Sequence, residues 1–289
     1  MNEQSDRLRV EAPAKINLGL EVLRRRPDGY HDINTLFASI DLTDEIILYP
    51  AADGAIHCSV SGNALLDGGS DNLCVRAAEM IRRSRGLTEG LRIELVKRIP
   101  IGAGLGGGSS DAAAVMRGVE SLWGITLDDR ERKSIALSLG SDVPFFLTGG
   151  LAHATGQGET LAPLDLVPGY TILLVNPGIH IPTPWAYREI GRSDERPPGD
   201  IVGALRSGIE DPALLRERLV NDFEPAVFAA YPVLARLKQR LYDGGALFAL
   251  MSGSGSTLFA LFASTEAATA AGSLFTDEWT ALCRFTPSV

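Results

Sequence analysis

The chain has 289 residues, 45% hydrophobic and 22% charged, an ordinary globular composition with enough length for one large domain or two ordinary ones. A formal net charge of −9 argues against non-specific nucleic-acid binding, so cations for any anionic substrate must be gathered locally. Cys58, Cys74 and Cys283 lack CxxC spacing, which points to reduced thiols, and His31, His57, His153 and His180 form no HxxxH pair to support a zinc site.

The opening stretch "MNEQSDRLRVEA" is polar and carries no apolar signal core, and no run of 18 apolar residues occurs. The expectation is a soluble cytoplasmic protein. In "RLRVEAPAKINLGLEVL", Val10, Ala12, Ala14, Ile16, Leu18 and Leu20 share one parity, and Glu11, Lys15, Asn17, Gly19 and Glu21 the other. This alternation predicts a strand with one buried face. A Pro-Asp-Gly turn follows in "RRRPDGYHD", then strands in "TLFASIDLTDEIILYP" and "AIHCSVSG". "DNLCVRAAEMIRRSRG" predicts an amphipathic helix begun by Asp71 or Asn72 and ended by Gly86. "GLRIELVKRIP" is strand-like and runs into a glycine-rich segment. Helices are expected over Ser110–Leu122 and in "TLDDRERKSIALSLG". In the second half, "GYTILLVNPG" predicts a strand and "GRSDERPPGD" an exposed loop. Helices are expected near 211–220 and 231–242, and "ALFALMSGSGSTLFALFA" reads as strand, tight turn, strand. The mixture is α+β without regular βαβ repetition or internal repeats.

The segment "PIGAGLGGGSSDAAAV" packs five glycines into the seven residues Gly102–Gly108. A flexible linker fits poorly, because strand and helix patterns bracket it. Gly102, Gly104 and Gly107 satisfy G-x-G-x-x-G, yet a dinucleotide fold needs a strand ending in an acid after the helix. Here a second helix follows, with Asp128 and Asp129 at its start. A phosphate cradle fits best: bare backbone lets N–H groups approach an anion, and the helix that follows turns its positive end toward it. Ser109 and Ser110 add hydroxyls. No Gly-Lys-Ser/Thr closes the loop, so the Walker-A lysine is missing.

The same segment resembles the P-x-x-x-G-L-G-S/G-S-S motif of the galacto-, homoserine, mevalonate and phosphomevalonate (GHMP) kinase superfamily. "APAKINLGLEVLRRRPDGYHDINTLF", "SLGSDVPFFLTGG", "NPGIHIPTPWAY" and "MSGSGSTLFALF" resemble motifs of the branch that phosphorylates a cytidine-diphosphate-linked methylerythritol for isoprenoid synthesis by the non-mevalonate route. These matches run from about residue 10 to residue 262. The resemblance implies a two-domain α+β fold. Residues 1–155 would form a ribosomal-protein-S5-like, ATP-binding N-terminal domain and residues 156–289 a ferredoxin-like C-terminal domain, with the active site in the cleft between them. It implies transfer of a phosphoryl group from ATP, with Mg2+, to the 2-hydroxyl of the cytidyl substrate. It implies no nucleic-acid or membrane partner and allows a homodimer. The alternatives are another GHMP-type small-molecule kinase or decarboxylase, or a nucleotide-binding protein without turnover.

The resemblance also assigns roles residue by residue. Asp142, which alone reads as a helix cap or turn former, takes the place of the catalytic aspartate. Lys15, otherwise a solvated strand lysine, becomes its partner, and Asn17 on the same strand face contacts substrate. The nucleotide loop comprises Pro100, Ile101, Gly102, Ala103, Gly104, Leu105, Gly106, Gly107, Gly108, Ser109 and Ser110. Asn72 and Lys97 fall near the adenosine, although alone they read as an N-cap and an exposed strand lysine. Tyr30 and Tyr187 would flank the cytosine ring, His31 would read its edge, and Thr183 would line the same region. The family often has Phe where Tyr187 stands. Gly253 to Ser256 fit a second glycine motif or an ordinary hairpin, and Asp111 complements a helix N-terminus. No metal ligand is singled out.

Overall fold

The structure, a computed structural model, describes residues 7–62, 67–191 and 196–288. Among them, strands β1 (Leu8–Arg25), β2 (His31–Ala51) and β3 (Ile56–Ser61) precede helix α1 (Leu73–Arg85) and strand β4 (Gly90–Val96). Helices α2 (Gly107–Leu122), α3 (Asp129–Leu139) and α4 (Val143–Thr148) lead to strands β5 (Leu151–Gly156), β6 (Thr160–Leu164) and β7 (Thr171–Asn176). Five helices follow: α5 (Thr183–Ile190), α6 (Ile201–Glu210), α7 (Pro212–Arg218), α8 (Glu224–Ala230) and α9 (Pro232–Asp243). Strands β8 (Phe248–Met251) and β9 (Leu258–Phe262), helix α10 (Thr265–Gly272) and strand β10 (Trp279–Cys283) complete the chain. The mixed α+β class is as expected. Part of the polar "GRSDERPPGD" stretch, 192–195, lies outside the described residues; Gly191 and 197–200 are exposed.

The chain forms two compact units, and they do not follow a single cut near residue 155. The first comprises Met1–Ala14, Leu42–Ile99 and Gly107–Thr148; the second comprises Lys15–Asp41, Pro100–Gly106 and Gly149–Val289. Strands β1 and β2 are long enough to contribute to both, so sequence order and spatial grouping part company.

In the first unit, β2 pairs antiparallel with β4 (Glu45 opposite Val96), and β4 pairs parallel with β3 (Leu91 opposite Ile56). Helix α1 starts where expected: the Asn72 side chain accepts from Cys74 N at 2.9 Å, and the helix ends at Gly86 with Arg82, Arg83 and Arg85 in its last turn. Helix α2 starts three residues earlier than the sequence suggests, at Gly107. A first turn tolerates glycine because its N–H groups have no intrahelical acceptors. α2 is buried along most of its length, from Ser110 to Val119, and packs on α1 and α4.

In the second unit, β2 pairs antiparallel with β5 (Ile33 opposite Gly156), and β5 with β6. A four-stranded antiparallel sheet runs β10-β7-β9-β8. Helices α9 and α10 pack on it, burying Leu173, Val175, Leu237, Leu241, Phe262 and Ala268 in one core. The expectation of one buried face on β1 fails between Ala14 and Leu20. Every residue there is buried, polar Lys15 and Asn17 included, because loops and β2 cover both faces.

Gly118 lies where α2 meets Leu48 and Val10; a Cβ there would collide with Leu48 Cδ1 and stand 3.2 Å from Val10 Cγ2. In an open helix Gly→Ala gains about 1 kcal/mol. Here overpacking outweighs that gain, so Gly118→Ala is expected to destabilise the fold by about 1–3 kcal/mol in urea unfolding.

Candidate active site

In the first unit, polar groups converge on the first turn of α2. Lys97, just past the end of β4, is buried, and its ammonium binds both Asp44 and Asp111, the latter at 2.7 Å. The other Asp44 oxygen accepts from Arg98 N at 2.5 Å and Ile99 N at 2.9 Å. One aspartate therefore fixes the backbone entering the glycine-rich segment, and the lysine ties it to the helix leaving that segment. Burial opposes the Lys97 charge, but Asp111 and Asp44 outweigh it and hold the ammonium above its ordinary pKa. Burial pushes the Asp111 carboxyl up to about 7 against the pull of Lys97, with Asp44 adding to the rise. Two acids share one base: the lysine stays charged and the second carboxylate is hard to ionise. Ser110 Oγ and Asp111 Oδ1 are buried with no hydrogen-bond partner among the described residues. Asp142, half-buried, occupies the turn directly before α4.

In the second unit, Lys15 is 4% exposed. Its ammonium donates to Asn17 Oδ1 at 2.7 Å and lies 5.0 Å from the Phe37 ring centroid. The Asn17 carboxamide donates to Thr35 Oγ1 at 2.8 Å, and that hydroxyl donates to the Gly19 carbonyl at 2.6 Å. Strand β1 is also stitched to the glycine-rich segment. Lys15 N donates to Leu105 O at 3.0 Å, Thr257 N to Ala103 O at 3.3 Å, and Ser252 Oγ to Gly104 O at 2.9 Å while accepting from Asn17 N at 3.2 Å. Gly104 has φ +79°, and a Cβ there would run into the Ser252 carbonyl, so this close approach requires glycine.

The structure brings Lys15, Asn17 and residues 103–105 of the glycine-rich segment together in one unit. It joins Thr183 to the 252–256 loop through Thr183 Oγ1 and Ser254 Oγ, 3.0 Å apart. It overturns two plain readings of single residues. Lys97 is not an exposed strand lysine, because two carboxylates offset its burial. Lys15 is not solvated. The His31 and Tyr187 rings stack with centroids 4.7 Å apart and an interplanar angle of 16°. Tyr187 also meets Phe223 edge-on, whereas Tyr30 is 62% exposed. Pro100 to Gly106 belong to the second unit, while Gly107, Gly108, Ser109 and Ser110 are already helix. Asn72 caps α1 through its side-chain oxygen.

Two family models match the chain: the GHMP kinases N terminal domain over residues 72–150 and the GHMP kinases C terminal domain over residues 201–278. The chain belongs to the GHMP kinase family. It is 43% identical over 282 residues to the 4-diphosphocytidyl-2-C-methyl-D-erythritol kinase of Prosthecochloris aestuarii, covering 96% of each chain. It is 41% identical over 270 residues to the enzyme of that name from Geobacter metallireducens, covering 93% of this chain and 94% of the other. A crystal structure of 4-(cytidine 5'-diphospho)-2C-methyl-D-erythritol kinase superposes with a TM-score of 0.81 at 36% identity, over 96% of this chain and 99% of that one. A homoserine kinase from Cytophaga hutchinsonii, 20% identical with a TM-score of 0.75, shares the fold.

Polar residues that carry no motif help to hold these groups in place. Thr35 and Ser252 look like ordinary strand and turn residues, and Asn221 in "LVNDFEP" like a cap. Asp44, within β2, stands before an apolar run and gives no motif. Their one sequence signal is a small polar residue between runs that become core. For the buried cluster, Lys97→Met is expected to cost about 3–5 kcal/mol in urea unfolding, because two carboxylates lose their only cation within the cluster. Asp111→Asn should cost less, since it leaves a neutral Asp44–Lys97 pair.

Proposed function

We propose that this chain transfers the γ-phosphoryl group of ATP to the 2-hydroxyl of 4-diphosphocytidyl-2-C-methyl-D-erythritol. The observation that carries this reading is the buried Lys15–Asn17 pair stitched to the glycine-rich segment, in a chain 43% identical to a kinase named for that substrate. Phosphoryl transfer asks mainly for positioning and charge stabilisation, and a buried cation beside a bare backbone supplies both. Asp142 takes the proton of the attacking hydroxyl as its oxygen bonds to the γ-phosphorus; the bond from that phosphorus to the β-phosphate oxygen breaks and ADP departs. Lys15 stabilises the negative charge that develops, and Asn17 holds the ammonium in place.

Pro100 to Ser110 cradle the phosphates, with the α2 N-terminus facing negative charge. Asn72 lies near the adenosine. Lys97 lies near the adenosine as well and, through Asp44, fixes the chain entering the loop. Mg2+ prefers oxygen donors, and Ser110 Oγ and Asp111 Oδ1 are two buried oxygens without a partner. Among the described residues no three His, Cys, Asp or Glu side chains cluster as a metal site, so the ion would arrive on the nucleotide and be held by those two oxygens. Bound there, it would neutralise phosphate charge. The stacked His31–Tyr187 pair forms one wall for the cytosine and exposed Tyr30 the other, with Thr183 alongside. The working compartment we propose is the cytoplasm; no helix among the described residues is long and apolar enough to cross a membrane.

ADP formation with the cytidyl substrate, mevalonate, homoserine and galactose tests the acceptor; turnover with only one of the last three would overturn it. Asp142→Asn is expected to lower kcat by about 10²–10⁴ with little change in ATP affinity, and near-normal turnover would remove Asp142 from its role. Tyr30→Ala should raise KM for the cytidyl substrate by about 5- to 150-fold, the stacking contribution of one base, and leave KM for ATP unchanged.

A further inference from the structure

The segment Val220–Phe223 clips onto β1. Leu20 N donates to Val220 O at 2.8 Å, Asp222 N to Leu20 O at 2.9 Å, and Val22 N to Asp222 Oδ2 at 2.7 Å. Asn221 stands in the middle of this clip and is 2% exposed. Its carboxamide nitrogen donates twice, to Met251 O at 2.7 Å and Gly253 O at 2.8 Å, and its oxygen accepts from Phe223 N at 2.9 Å. Every hydrogen-bonding direction of the amide nitrogen is spent on the backbone on either side of Ser252. Ser252 in turn holds Asn17 N and Gly104 O through its hydroxyl. Gly253 lies against Gly104, where a Cβ would stand 3.4 Å from Gly104 Cα. One side chain therefore registers the 252–256 loop against the strand that carries Lys15 and against the glycine-rich segment.

We propose that Asn221 is a positioning residue for phosphoryl transfer. It sets the height of the 252–256 loop, and through the Ser252 hydroxyl it sets Gly104 and the Lys15–Asn17 pair. The role goes beyond satisfying a buried amide. Two carbonyls separated by one residue can share an NH2 group only when the loop backbone bends toward Asn221, and that bend presents Ser252 to Gly104. The inference rests on the kinase reading above. It predicts a defect in the chemical step, because misplacement of reacting groups by about 1 Å costs up to about a hundredfold.

The test compares the full-length wild type with Asn221→Leu, Ser252→Ala and the double variant in steady-state ADP formation, alongside thermal melting. If the wild type itself forms no ADP from ATP and the cytidyl substrate, the kinase reading fails; the inference is judged only against an active wild type. Each single variant is expected to lose about 10- to 100-fold in kcat while KM for ATP stays within about threefold. The double variant should lose no more than the worse single, because both act through one loop. Asn221→Asp, which keeps the shape but turns an acceptor toward two carbonyls, should reproduce the loss and replaces Asn221→Leu if that chain does not fold. Lowered melting temperature with kcat within about threefold of wild type would reduce Asn221 to a stability residue and overturn the proposal. So would losses that multiply in the double variant.

Discussion

Three consecutive carbonyls, those of Ala103, Gly104 and Leu105, are each hydrogen-bonded to a different part of the second unit. Their partners are the Thr257 amide, the Ser252 hydroxyl and the Lys15 amide. This is the constraint on which the candidate site depends. A segment built from glycine and small residues has almost no side chains with which to hold itself, so its shape is set from outside by hydrogen bonds to its backbone. Glycine at 104 is what lets the Ser252 carbonyl come close enough for this to happen. The bareness of the segment does not loosen it: it allows neighbouring elements to grip the main chain.

Within the first unit, the chain entering the segment and the helix leaving it are held by a different kind of force. Asp44 accepts from the backbone of Arg98 and Ile99, and Lys97 bridges Asp44 to Asp111 in the first turn of α2. Charged groups do this work inside the first unit, whereas neutral amides and hydroxyls do it in the second. The choice has physical consequences. Two buried carboxylates and one ammonium are strongly interdependent, so removing the cation is costly. The Asn17, Thr35, Ser252 and Asn221 network is built from neutral groups and spreads its cost over many ordinary hydrogen bonds.

Much of the secondary structure was legible because it rests on local rules. The α1 cap at Asn72, its stop at Gly86 and the strands around 171–176 and 248–262 all follow from capping and apolar patterning. Several short helices were not legible. α4 has six residues and α8 seven, too few for a periodic signal, and burial rather than propensity holds them. The interleaving of the two units was invisible for another reason. A strand as long as β2 shows one continuous pattern while its two ends serve different cores. Lys15 illustrates the limit for site residues. Alternation put it on the polar face of β1, and only the loops packed over that face, with Asn17 and Phe37 beside it, turn a solvated lysine into a buried one.

The sequence by itself determined the glycine-rich segment, the helix that follows it and the identity of the groups that carry charge at the candidate site. These are properties of residue type and short spacing: backbone freedom at glycine, free N–H groups at a helix start, and the acids and bases the chain contains. Tertiary structure alone decided how those groups are held. Asn221 and Ser252 lie 204 and 235 positions from Asn17 (221 − 17 and 252 − 17), and Asp44 lies 53 from Lys97 (97 − 44). No local pattern links such residues. Their partnership exists because folding removes water from around them, and a buried polar group must then find its hydrogen bonds in whatever part of the chain the fold brings close.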